Sequence, residues 1–84
     1  MIPIQKLLSQ IRWDEAFSQA EFIIGYYDRV EKRIIKVRFE EIIFAPDDHF
    51  AFQLVDDEGY LHNVPYHRVK QVLRDGELIW HREH

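Results

Sequence analysis

The sequence predicts a small α+β domain: a mainly antiparallel sheet of about five strands with two helices packed on it. Ile4, Leu7 and Ile11 recur at the spacing of one helix face, which indicates a helix over residues 3–12. The middle of the chain alternates apolar and polar residues and is rich in β-branched and aromatic types. Because 84 residues suffice for one hydrophobic core, we expect a single domain over residues 1–84.

The first two predicted strands, residues 21–29 and 33–39, form a hairpin. If the hairpin turns on residues 31–32, Tyr27 lies opposite Lys36. One face of the hairpin is then basic and aromatic, with Tyr27, Arg29, Lys36 and Arg38. The other face carries Ile24, Tyr26, Ile35, Val37 and Phe39.

Two further elements follow from local signals. Asp14 is a suitable N-cap for a short helical turn after the first helix. Residues 50–56 and 60–64 are predicted to form a second hairpin, because Gly59 suits the left-handed position of its turn. Its apolar face is predicted to carry Phe50, Phe52 and Leu54.

The last two predicted elements are a helix over residues 65–74 and a strand over 77–82. Pro65 suits a first helical turn, and Gly76 suits a helix end. The apolar residues between them have helical spacing: Val69, Val72 and Leu73. In the final strand, alternation places Leu78 and Trp80 on one side and Ile79 on the other.

Composition excludes several classes. The apolar share of 46% and aromatic share of 14% are typical of a globular chain. No apolar run is long enough for a membrane span, and Met1–Ile4 lacks the pattern of a signal peptide, so we expect a cytoplasmic protein that does not bind membranes. With no cysteine, the chain has neither thiolate metal ligands nor a cysteine nucleophile.

The net charge of −4 disfavours indiscriminate nucleic-acid binding, but the charges are segregated. Residues 29–38 are strongly basic and residues 40–58 strongly acidic. Beyond these runs, His67 and Arg68 fall at the start of the predicted 65–74 helix. Two cations oppose the helix dipole there, so the placement predicts an anion site, with surface side chains as the alternative.

The residues offer little for catalysis. Ser9 and Ser18 are the hydroxyl candidates among serine and threonine, and neither is placed as a nucleophile, so we expect no catalytic residue and a domain that is not an enzyme. The alternative is a phosphodiesterase in which His62, interpreted by default as a partly buried structural histidine, acts with His67 or His81. His81 and His84 do not predict a metal site, and no cofactor is expected.

Arginine and aromatic residues adjoin at three places, near Trp13, Tyr26 and Trp80. Aromatic rings beside arginines are typical of sites for an unpaired base and its phosphate. Four blocks then resemble a known family, the RNA cyclic-group end recognition domain. They are Ile11-Arg12-Trp13-Asp14, Ile24-Gly25-Tyr26-Tyr27-Asp28-Arg29, Val64-Pro65-Tyr66-His67-Arg68-Val69 and Gly76-Glu77-Leu78-Ile79-Trp80-His81-Arg82.

This resemblance covers roughly residues 4–83 and implies an RNA-binding module for 3′ ends that carry a 2′,3′-cyclic phosphate, in the company of RNA-processing proteins. The site residues that it implies are Arg12, Trp13, Asp14, Tyr26, Asp28, Arg29, His67, Arg68, Trp80 and Arg82. The chain departs from the family pattern at Glu15, where proline is common, and at His81, where aspartate is common. A protein-interaction module that acts through the acidic 40–58 segment or a sheet edge is the alternative from another class.

Overall fold

Two α-helices begin the chain, α1 over Ile4–Trp13 and α2 over Glu15–Ser18. The structure is a computed structural model that describes residues 2–44, 47 and 50–82. Asp14 separates the helices in an extended conformation, and its Oδ1 atom accepts hydrogen bonds from the N–H groups of Ala16 at 3.0 Å and Phe17 at 3.4 Å. The predicted first helix and the Asp14 cap are both confirmed.

Six strands in the described part of the chain form two antiparallel sheets, which confirms the α+β class. They are β1 (Phe22–Asp28), β2 (Arg33–Arg38), β3 (Ala51–Val55), β4 (Leu61–Pro65), β5 (Val69–Arg74) and β6 (Glu77–His81). One sheet has the order β2-β1-β5-β6, and β3 and β4 form the other. Short 3₁₀ turns occupy Phe39–Glu41 and Tyr66–Arg68. No helix within the described residues is both long and apolar enough to cross a bilayer.

The core lies between α1 and the two sheets. The apolar stripe of α1 that the sequence predicts is buried, with Leu8 and Ile11 each 1% exposed. Burying such a side chain stabilises the fold by about 1.5–3 kcal/mol, so burial of this apolar stripe determines which face of α1 packs against the core. Opposite it lie the buried residues Phe22, Ile24, Phe52, Leu54, Val64, Val69, Val72 and Trp80.

The predicted helix over residues 65–74 is wrong. After the Tyr66–Arg68 turn the chain continues as β5, which pairs with β1. A bulge causes the helical spacing: Tyr26 pairs with Val69 and Ile24 with Val72, so two valines three apart lie on the same face. One extra residue in a strand resets its alternation, which mimics a helical period.

The first hairpin forms as predicted, but its register differs by two residues. Gly25 and Tyr27 face Lys36 and Ile34, and residues 29–32 form a longer turn with Lys32 at φ 56°. A shift of two preserves which residues share a face, so Lys36 and Arg38 stay together. Arg29 lies in the turn, outside the predicted basic face.

The second hairpin and the last strand are confirmed, with two corrections. Gly59 has φ 88° in the turn, and Phe52 and Leu54 are buried, but Phe50 precedes β3 and is 78% exposed. Along β6 a bulge pairs Trp80 with Val72 and Leu78 with Leu73. Since neighbouring residues of β5 face opposite sides, Leu78 and Trp80 do not share a side as predicted.

Candidate nucleic-acid interface

Arg12 lies in the last turn of α1, where its charge complements the helix dipole. Its guanidinium carbon is 4.6 Å from the ring centroid of Trp13 and 4.6 Å from that of Phe44. Within the described chain it has neither a carboxylate partner nor a hydrogen bond. Two aromatic contacts therefore orient this cation, and no other described residue accepts a hydrogen bond from its N–H groups.

A groove of about 470 Å³ begins at Arg12 and runs between the helices and the first hairpin. Its polar rim combines two cations, two carboxylates and an amide: Arg12, Arg38, Glu21, Glu40 and Gln19. Phe22 and Phe39 are among its apolar lining residues. Arg38 Nη1 lies 3.3 Å from Glu40 Oε1, but both side chains are largely exposed, so this ion pair contributes little.

Trp13 is 72% exposed, which is unusual for a tryptophan in a small domain. The ring contacts Arg12 and also lines a shallow depression with Lys6, Gln10 and Asp14. Asp14 caps α2 directly after Trp13, so the cap fixes the chain direction at this point. The arrangement offers a flat aromatic surface next to an unpaired cation.

His67 and Arg68 lie on the 3₁₀ turn, so the predicted anion site at a helix N-terminus is wrong in its structural basis. Neither side chain has a hydrogen bond or ion pair to another described residue. Arg82 holds the turn, since its guanidinium donates to the carbonyl oxygens of Tyr66 and Val69 at 2.8 Å each. The turn also packs against α1.

Trp80 and Tyr26 belong to the packed interior. Trp80 is 6% exposed, and its Nε1–H donates to the carbonyl oxygen of Ile2 at 2.9 Å. The half-buried Tyr26 ring contacts Phe52 edge-on, with centroids 6.4 Å apart. Burial, followed by the nearby Asp28 charge, raises the pKa of Tyr26.

Asp28 and Arg29 begin the turn of the first hairpin. Asp28 Oδ1 accepts hydrogen bonds from the N–H groups of Val30 at 2.8 Å and Glu31 at 3.0 Å. The bond from Glu31 is the largest cause that lowers the pKa of Asp28. Arg29 is exposed beside this cap.

The structure brings together only part of the predicted site. Arg12 and Trp13 are in contact, whereas Arg29, His67 and Arg68 do not line the groove at Arg12. Sequence reasoning missed the groove residues Gln19 and Glu21 and the contact of Phe44 with Arg12. Arg38, which lines the groove, belongs to the basic run over residues 29–38 that the sequence analysis identifies.

The exposure and the hydrogen-bond partner of His62 differ from the prediction. His62 is exposed rather than partly buried, and its Nε2 atom lies 2.6 Å from Asp56 Oδ2. This hydrogen bond is the largest cause that lowers the pKa of Asp56. His67 and His81 are exposed, and His84 lies outside the described residues. In the described ranges no three histidine or acidic side chains form a group that would hold a metal ion.

The fold and groove define a small α+β domain with an aromatic-framed arginine beside a polar cleft, a combination suited to nucleic-acid ends. The chain belongs to the MJ1316 RNA cyclic group end recognition domain family, whose model matches residues 1–82. Comparison with curated proteins and with solved structures gave no match.

Proposed function

We propose that this domain binds RNA 3′ ends that carry a 2′,3′-cyclic phosphate, with Arg12 on the phosphate and Trp13 under the terminal base. The observation that carries the proposal is the position of the Arg12 guanidinium, 4.6 Å from each of two rings. Its lack of an acidic partner among the described residues leaves the cation available to an anionic ligand. The family description supports the class of ligand.

A cyclic phosphate suits an arginine that is held in this way. It carries one negative charge and two exposed oxygens, which a guanidinium fork can bind together. Aromatic rings contact the face of a guanidinium, whereas its N–H donors point outward in its plane. The contacts of Arg12 with Trp13 and Phe44 thus orient the fork without using its donors.

The exposed Trp13 ring supports the second half of the proposal. A base stacked on an aromatic ring contributes about 1–3 kcal/mol and brings apolar surface out of water. With a net charge of −4, the domain as a whole repels a nucleic-acid backbone, and its positive charge is concentrated in residues 29–38. Recognition of an end, through one phosphate and one base, suits this charge better than binding along a strand.

His67 and Arg68 are the proposed contacts to the preceding phosphate. Both side chains lack partners in the described structure, and their turn packs against the helix that carries Arg12. Arg82 and Asp14 act as positioning residues, because Arg82 holds that turn and Asp14 caps the helix after Trp13. Tyr26, Trp80 and Asp28 support the framework, and Arg29 contributes only charge.

The test is a titration with one short RNA prepared in three forms, ending in a 2′,3′-cyclic phosphate, a linear 3′-phosphate or a 3′-hydroxyl. We expect the cyclic end to bind most tightly, because the fork and the stacked base suit a compact, singly charged group. Equal affinity for all three forms would contradict end recognition. Binding that depends only on RNA length would indicate contacts along the backbone instead.

A protein-interaction role is the second candidate, and a patch on the second hairpin favours it. Val55 and Leu61 are paired across β3 and β4 and are 54% and 57% exposed, with Tyr60 66% exposed beside them. RNA-processing proteins would be the expected partners. If Leu61→Ser leaves RNA affinity unchanged but abolishes capture of a partner, the two roles occupy separate surfaces.

A phosphodiesterase that uses histidine is the third possibility, and the His62–Asp56 pair at 2.6 Å would supply its general base. Incubation with a 2′,3′-cyclic nucleotide tests it through ring opening. We expect no turnover that depends on His62, since no second histidine is paired with it within the described chain. Turnover lost in His62→Ala would replace the binding proposal with an enzymatic one.

A further inference from the structure

The two carboxylates of the groove are in different situations. Glu40 forms an exposed ion pair with Arg38 at 3.3 Å. The Glu21 side chain has neither a hydrogen bond nor an ion pair to any described residue. Among the described residues that line the groove, the Glu21 carboxylate and the Arg12 guanidinium are therefore both without an ionic partner.

The main chain at Glu21 is held on both sides by one distant residue. Its N–H donates to Asp75 Oδ1 at 2.9 Å, and its carbonyl accepts from the Asp75 N–H at 2.8 Å. Asp75 is 54 positions away and has a left-handed backbone with φ 49°. This reciprocal pair fixes the point from which the Glu21 side chain extends, which lowers the entropy cost of binding through it.

A ligand that offers only a phosphate does not explain why a carboxylate lines the groove, since the negative charge of Glu21 would repel that phosphate. A ligand with an anionic group and a pair of adjacent N–H donors satisfies both charges. Among the RNA bases, guanine presents two neighbouring donors, N1–H and N2–H, on its Watson–Crick edge, beside the acceptor O6. A carboxylate accepts both donors together, and the amide of Gln19, which also lines the groove, can donate to O6.

We propose that Glu21 selects guanine as the terminal base of the RNA end, through a bidentate contact to N1–H and N2–H. This inference rests on the proposed function, because it needs the phosphate at Arg12 and the face of the base on Trp13. Arg12 contacts Trp13 and also lines the groove of Glu21, so the edge of that base would extend over the groove. Adenine and cytosine each set an acceptor beside a donor on this edge, and uracil sets one donor between two acceptors. None of the three offers two adjacent donors to the carboxylate oxygens, so each makes at most one hydrogen bond with the Glu21 carboxylate.

The test uses the full chain and four short RNAs that end in a 2′,3′-cyclic phosphate and differ only in the terminal base. We expect the guanine end to bind about tenfold more tightly than the other three. Glu21→Gln replaces one acceptor with a donor, and an amide can pair with the adjacent acceptor and donor that every RNA base presents on its Watson–Crick edge. This variant is therefore expected to lose the guanine preference and to bind the four ends with similar affinity.

Glu58→Gln is the matched control, because it removes the same negative charge at an exposed residue in the turn of the second hairpin. It should keep the guanine preference of the wild type. Equal affinity for four bases, with binding still dependent on Arg12, would overturn this inference and leave the proposed function standing. A guanine preference that persists in Glu21→Gln would overturn the role of Glu21. Failure of all four RNAs to bind would overturn the proposed function itself.

Discussion

The guanidinium of Arg82 donates a hydrogen bond to the carbonyl oxygen of Tyr66 at 2.8 Å and so ties the end of the last strand to the 3₁₀ turn. Two further N–H groups of Arg82 donate to the carbonyl oxygen of Val69, at 2.8 and 3.2 Å. A single half-buried cation thus satisfies the carbonyls on either side of His67 and Arg68. The planar fork of arginine makes this possible.

Arg82→Lys should lower the free energy of unfolding by about 1.5–3 kcal/mol, because an ammonium cannot reach both carbonyls in the same geometry. Urea unfolding at neutral pH measures the loss. Arg33→Lys is the control, since Arg33 makes an exposed 3.8 Å ion pair with Glu31 and should change stability by less than about 0.5 kcal/mol. Equal losses in the two variants would show that the Arg82 hydrogen bonds do not stabilise the turn.

The two tryptophans should separate stability from binding. Trp80→Phe removes the indole donor to Ile2 and some buried volume, so we expect a loss of about 1–3 kcal/mol in stability. Trp13→Ala removes a largely exposed ring and should leave stability within about 0.5 kcal/mol while it weakens RNA binding. Unfolding curves and RNA titrations on both variants measure this. The reverse pattern would remove Trp13 from the site.

The strand pattern was predictable wherever alternation is unbroken, and it failed where a bulge intervenes. Val69 and Val72 lie three apart on one face of β5, and their helical spacing comes from a pairing shift opposite Gly25 and Tyr26. No residue within β5 marks this bulge by type. The partner strand determines it, so the sequence of β5 alone could not distinguish it from a helix.

In the candidate site, too, some contacts could be predicted from the sequence and others could not. Arg12 and Trp13 are neighbours in the chain, so their contact was accessible to sequence reasoning. Phe44 and Glu21 reach the same region only through tertiary packing, and neither carries a local signal. The first hairpin lacks a glycine in its turn, and the sequence does not predict that the Asp28 carboxylate caps the longer turn. For Asp28 the family resemblance implies a site residue, with a structural salt bridge as the alternative.

Gly25→Ala should destabilise the central strand. A Cβ atom at this position would lie 2.5 Å from Gln71 Cγ and 3.1 Å from Ile34 Cγ2, so neighbouring side chains must move. Overpacking of this kind costs about 1–3 kcal/mol. The added variant Gln71→Ala removes the closest atom, and a double-mutant cycle measured by urea unfolding should recover most of the loss. Purely additive effects would show that the contact with Gln71 is not the cause.

Asp28 makes part of the stability depend on pH. Hydrogen bonds from the Glu31 and Val30 amides lower its folded pKa below the value of about 3.9 for a free aspartate. This contribution is therefore fully present above about pH 4 and is lost as the pH falls through that value towards the lower folded pKa. In Asp28→Asn, the melting temperature should therefore fall less between about pH 5 and 2 than it does in the wild type, as measured by thermal unfolding. An unchanged pH dependence in Asp28→Asn would show that the hydrogen bonds to the Asp28 carboxylate do not cause it.

The last prediction concerns the cation at the groove. Arg12→Ala should weaken binding of an RNA with a 2′,3′-cyclic phosphate by about 1.5–3 kcal/mol, the range for hydrogen bonds to a charged group. Arg12→Lys should also weaken it, because an ammonium keeps the charge but loses the fork and the contacts of the guanidinium with Trp13 and Phe44. Arg29→Ala is the control, since Arg29 is an exposed arginine in a turn and should act only through the salt dependence.

Titration at two salt concentrations separates these effects. A loss in Arg12→Lys that persists at high salt identifies directional hydrogen bonding, whereas a loss that disappears identifies charge alone. Arg68→Ala, measured in parallel, should weaken binding to a longer RNA more than to a 2′,3′-cyclic mononucleotide, because the proposed partner of Arg68 is the preceding phosphate, which the mononucleotide lacks. If Arg68→Ala abolishes binding of the cyclic mononucleotide and Arg12→Ala does not, the cyclic phosphate binds at the 3₁₀ turn and the groove is not its site.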